Sequence, residues 1–170
     1  MKTIFRTIIV LIFIAFTACN KDDDPVDIKI PDVVINELLP KNSQNGSDQD
    51  DQFDDWIELY NPADVEQDIS GYYLTDSKKD PTKWQFPEGT MIEKMGYLII
   101  WCDEDTTQAG LHTNYKLSAD GENVLLLDPN LEIINLVEYP PTVLEQSWAR
   151  KPNGTGDFEW SVPTIKQSND

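Results

Sequence analysis

From Asp32 to the C-terminus, no stretch long enough for a helix places apolar residues at i, i+3, i+4 and i+7. Apolar residues come instead in short runs, continuous or alternating, each stopped by Pro, Gly, Asn or Asp. Val33-Val34-Ile35-Asn36-Glu37-Leu38 ends before Pro40, and Trp56-Ile57-Glu58-Leu59-Tyr60 alternates and stops at Asn61-Pro62. A third run, 69–75, is broken or bent at Gly71, and Lys83-Trp84-Gln85-Phe86 is closed by Pro87. Residues 90–93 and 97–102 flank Met95-Gly96. Beyond Gly110 come Tyr115-Lys116-Leu117, then 124–127, 132–139, 147–150 and 159–161. Val124-Leu125-Leu126-Leu127 has no polar alternation and is expected to be buried on both faces. Strands this short, with turn signals every eight to twelve residues, predict an all-β sandwich or barrel. About 130 residues suffice for a two-layer core without disulfides.

The charge balance narrows function. Lys+Arg 13 against Asp+Glu 31 leaves a formal charge of −18, so a phosphate backbone would be repelled and nucleic acid is excluded as a partner. One His rules out a His-rich zinc site and ties any nucleophilic triad to His112. No Gly-rich phosphate loop leads from a strand into a helix, which leaves nucleotide binding without support.

The N-terminus has the grammar of a secretory signal: Lys2 and Arg6, an apolar run over 8–16, then small residues before Cys19. That run is too short to span a bilayer, which takes about 20 apolar residues. Phe16-Thr17-Ala18-Cys19 resembles the bacterial lipobox, so residues 1–18 are expected to be removed and Cys19 lipidated. The following Asn20-Lys21-Asp22-Asp23-Asp24 resembles the export signal that places lipoproteins of Bacteroidetes-type bacteria on the outer cell surface. The same acidic run also reads as a solvated spacer within a tether over 19–31. With Cys19 acylated, Cys102 is left alone and no internal disulfide can form; Cys102 closes an apolar run and reads as a small buried hydrophobe.

The ordered pieces of the body are similar to a known family. Ile35-Asn36-Glu37, Asp55-Trp56-Ile57-Glu58-Leu59-Tyr60-Asn61, Asp68-Ile69-Ser70-Gly71-Tyr72-Tyr73-Leu74-Thr75-Asp76 and Lys83-Trp84-Gln85-Phe86-Pro87 follow one another as in bacterial lamin-tail domains. Gly96-Tyr97-Leu98, Trp101-Cys102-Asp103, the segment 111–118, Gly121-Glu122, Trp148-Ala149-Arg150 and Asp157-Phe158 continue the order, so the resemblance covers about residues 32–165. It implies an immunoglobulin-like β-sandwich over 32–170 that binds or localises and does not catalyse.

Four constellations could carry chemistry. Asp48, Asp50 and Asp54, with Gln52 between, resemble the oxygen-donor spacing of a calcium loop. Phe53 stands where an EF-hand needs Gly and Leu59 where it needs Glu, so only a looser calcium site is compatible, against a solvated acidic loop. Glu37, Asp55 and Glu58 lie on adjacent strand motifs and could share a divalent cation or a proton, or else bond backbone groups at strand ends. Asp103, Glu104, Asp105 and His112 could form a mixed oxygen–nitrogen metal site or supply a general base, against a plain polar loop. Trp56, Tyr60 and Trp84, beside Tyr72 and Tyr73, could form an aromatic platform for a glycan or peptide. Alternation opposes Trp56 and Tyr60 to Ile57 and Leu59, so they face outward or into a second packed layer.

The expected protein is therefore a lipid-anchored module at the outer membrane, binding a protein or glycan partner, with calcium as its one candidate cofactor. A metal-assisted hydrolase, or an accessory subunit of one, built on Glu37, Glu58, Asp103 and His112 is the other class; it requires those four side chains to meet in one cleft.

Overall fold

A computed structural model describes residues 33–170, which contain eleven strands and no helix. The leader over 1–18, Cys19 and the tether over 19–31 lie outside the described residues. A five-stranded antiparallel sheet is built from β1 (Val34–Leu39), β2 (Asp55–Tyr60), β7 (Tyr97–Cys102), β10 (Ser147–Lys151) and β11 (Asp157–Ser161), in the order β11-β10-β1-β2-β7. A four-stranded sheet contains β4 (Tyr73–Thr75), β5 (Trp84–Gln85), β8 (Glu122–Leu127) and β9 (Ile133–Tyr139), in the order β5-β4-β8-β9. β3 (Gln67–Asp68) and β6 (Met91–Ile92) pair separately. The architecture is an immunoglobulin-like β-sandwich.

Local chemistry explains the elements. Ile57, Leu59, Ile100 and Cys102 alternate inward from β2 and β7 and meet Leu74, Val124, Leu126 and Val137 of the opposing sheet. The continuous run Val124-Leu125-Leu126-Leu127 is buried on both faces. The 69–75 run is strand only from Tyr73 onward: Gly71 takes φ +76°, a left-handed conformation that ends the extended chain. Residues 115–117 form no strand and contribute a single bridge, Asp103 with Lys116.

Two layers do not complete the molecule. The outward side of β2 and β7 carries Trp56, Ile99 and Trp101, which pack with Leu39 and Ile165 into a second apolar cluster. Segments 41–54 and 162–170 lie over that side, and Gly46 approaches Ile165 so closely that a Cβ would stand 2.7 Å from its Cδ1. The five-stranded sheet is consequently buried on both faces at its centre.

Candidate functional site

A buried carboxylate pair sits under the C-terminal segment. β1 and β2 run in register except for a bulge between Ile35 and Glu37, which places Glu37 directly opposite Glu58 and turns Asn36 to the same outward side. All three are fully buried. Glu37 accepts from Thr164 N at 3.0 Å and from Thr164 Oγ1 at 2.8 Å. Glu58 accepts from Asn36 Nδ2 at 3.0 Å and from Lys166 N at 2.6 Å. Asn36 also accepts from Gly154 N, and Asn169 Nδ2 donates to the carbonyls of Asn36 and Arg150. Burial pushes the Glu37 carboxyl up and drives Glu58 to about 8, the facing Glu37 adding to the effect while Asn36 and Lys166 N–H groups oppose it.

The pair is therefore an anchor for residues 162–170 and not a metal cluster. Every carboxylate oxygen already faces an N–H or O–H of the protein. Asp55, the third member expected there, stands at the far end of β2, where it accepts from Asn42 N, and burial lifts it to about 6.

The acidic loop and the histidine loop come together instead. His112 Nδ1 lies 2.7 Å from Asp103 Oδ2, and Asp48 offers a carboxylate oxygen to the same group, the three ligand atoms all within 4.8 Å of one another. Asp50, Glu104 and Asp105 are exposed and take no part, so the calcium-loop order of donors over 48–54 is not assembled. Asp48 Oδ1 instead accepts the N–H groups of Asp50 and Gln52, closing a tight turn.

The four side chains of the hydrolase reading do not meet. Glu58 pairs across to Ile99, and Asp103 follows four residues later along the same direction, about 13 Å away at strand rise. The aromatic platform is also absent. Trp56 is fully buried and its Nε1 donates to the Asn45 carbonyl; Tyr60 is 5% exposed, stacked on Tyr97 at 4.8 Å. Trp84 packs edge-on against Phe86, into the main core. The reason is the third layer: outward positions of β2 are covered by 41–54 and 162–170, so alternation there does not mean exposure.

Among the described residues, β7 is an edge strand of the five-stranded sheet. Trp101 N donates to the Leu111 carbonyl and Thr113 N donates to the Trp101 carbonyl, so the edge is occupied at that residue. Backbone groups alternate in direction along a strand, so Tyr97 and Ile99 present theirs on this same side, where no described strand pairs with them. Beside this edge runs a groove of about 440 Å³ lined by Tyr97, Leu98, Ile99, Leu111, Ile165 and Lys166. Sequence reading marks 97–102 as a strand but carries no signal for its edge position, which depends on strand order. No curated protein matches the chain. The family model described as Lamin Tail Domain matches residues 27–141, over an immunoglobulin-like sandwich of a kind that is typically non-catalytic, and the chain belongs to that family.

Proposed function

We propose that this protein is a lipid-anchored, non-catalytic capture module at the outer surface of the cell, and that it binds an extended segment of a protein partner along β7. One observation supports the reading: among the described residues no strand pairs with β7 at Tyr97 and Ile99, beside a groove lined by apolar side chains. A peptide laid there would add a strand, its backbone supplying affinity and alternate side chains entering the groove. The net charge of −18 favours a basic segment and speeds its encounter. A glycan is the weaker reading, because the aromatic rings that would stack on sugar are covered by the protein itself.

Anchoring rests on the leader, Cys19 and the acidic run behind it. Acyl chains contribute about 0.8 kcal/mol per buried methylene, so two or three hold the protein firmly. Confinement to a surface raises local concentration, which lets a modest affinity suffice. Labelled fatty acid is expected to enter the wild-type chain and not Cys19→Ala; incorporation into the variant would remove the anchor. Peptide and glycan arrays probed with the full chain in detergent test the partner. Binding to extended basic peptides, weakened by Leu98→Lys at the groove, supports the reading. Glycan binding indifferent to that substitution would replace it.

A further inference from the structure

The acidic loop and the histidine loop meet in a way that hydrogen bonding leaves incomplete. Asp48 is 7% exposed and His112 3%, and the Asp103 side chain is 5% exposed. Asp48 Oδ1 is spent on two backbone N–H groups, while its Oδ2 is buried with no partner. Asp54 Oδ2 is also buried and unpartnered. Buried acceptors are nearly always paired, so two orphaned carboxylate oxygens beside a third carboxylate mark a missing positive charge. Among the described residues Lys116, the nearby cation, forms no ion pair with any of them.

The imidazole indicates what the charge is. Nε2 lies 3.2 Å from the Ala109 carbonyl, with the Gln49 side-chain amide at 3.1 Å. The contacts favour Nδ1–H donating to Asp103 Oδ2 with Nε2 accepting from the Gln49 amide; an ion at Nδ1 would replace that proton, and Nε2–H would then donate to the Ala109 carbonyl. This is the usual arrangement of a metal-bound histidine, whose second nitrogen donates to a carbonyl and fixes the tautomer. Ligand bonds of about 2.0–2.2 Å bring co-ligands within about 4 Å of each other, so the present spread of up to 4.8 Å closes with small side-chain shifts.

We propose that Asp48, Asp103 and His112 bind one divalent transition ion of the zinc class, with Asp54 beside them. Two carboxylates and one imidazole suit such an ion better than calcium, which takes six to eight oxygens and no nitrogen. Three protein ligands leave a fourth position for the nearby Asp54 or a water, and the ion would pin the 48–54 turn to the loop before His112. Gly110 and Leu111 line the groove beside β7, so the ion would stiffen one end of it, but the site does not depend on what the groove binds.

The test uses the full chain without an affinity tag, stripped with EDTA and titrated with zinc alone and with calcium alone. The chain has one His, so the imidazole ¹⁵N resonances belong to His112 without ambiguity. One zinc per chain is expected, moving the Nδ1 resonance and leaving the ring proton on Nε2. Supporting partners of a metal ligand alone are worth about 10–100-fold in affinity, so Asp48→Asn and Asp54→Asn are expected to bind more than about tenfold more weakly. Circular dichroism checks that both fold, and if either does not, the wild-type imidazole spectrum decides. Absence of stoichiometric zinc binding, calcium bound in preference to zinc, or an Nδ1–H still bonded to Asp103 at saturating zinc would overturn the proposal.

Discussion

Glu58 shows how one side chain couples stability to pH. Its carboxyl is raised from 4.5 to about 8, chiefly by burial, so between those values the folded chain holds a proton that the unfolded chain has released. The contribution of Glu58 is thus complete below pH 4.5 and is lost as pH rises through about 8. The slope in that window is about 1.4 kcal/mol per pH unit, and Glu37, raised in the same direction, adds to it. Thermal melts from pH 5 to pH 9 are expected to fall for the wild type and to flatten in Glu58→Gln. At pH 5 that variant is expected to lie within about 1 kcal/mol of the wild type, because the amide and the protonated carboxyl each turn one donor toward the Asn36 and Lys166 N–H groups. Gly154 is a second sensitive residue. It takes φ +70°, and an added Cβ would stand 2.8 Å from the Tyr60 ring, so Gly154→Ala is expected to cost more than about 1 kcal/mol in chemical denaturation. The carboxylates themselves were visible in the sequence as a set on neighbouring strands. What they bond was not, because Thr164 and Lys166 lie more than a hundred positions away.

At the scale of elements, the segment over 162–170 behaves as a strap across the five-stranded sheet. It is held by hydrogen bonds to Glu37, Glu58 and Asn36 and by Ile165 against Leu39, Trp56, Ile99 and Trp101. Ile165→Ala is expected to destabilise by about 1–2 kcal/mol, since part of its surface stays exposed. Fluorescence is expected to show Trp56 and Trp101 becoming wetter when the strap is loosened, with a red-shifted maximum. Removing 163–170 is expected to do both more strongly, and unchanged emission would mean that the strap does not seal these rings. Most strands were legible because apolar runs and turn dipeptides are local signals. The break at Gly71 that shortens β4 was among them; the lost strand at 115–117 was not, because bridging to Asp103 decides it and depends on neighbours in space.

For the molecule as a whole, a charge of −18 means self-repulsion in the compact state. The melting temperature is expected to rise with salt from about 0.01 M to about 0.1 M, as the screening length falls from about 30 Å to about 10 Å. Capture of a basic peptide is expected to slow over the same range. The amino-acid order determined the strand-rich character, the buried 124–127 run, the acidic surface and the single thiol of the sandwich, because each follows from local periodicity or from counting. Tertiary structure alone decided which outward faces are covered, which strand lies at the edge, and that Asp48 meets Asp103 and His112. Such pairings arise from strand order and from a bulge at Asn36, where backbone hydrogen bonds and core packing choose among arrangements that a linear pattern leaves equivalent.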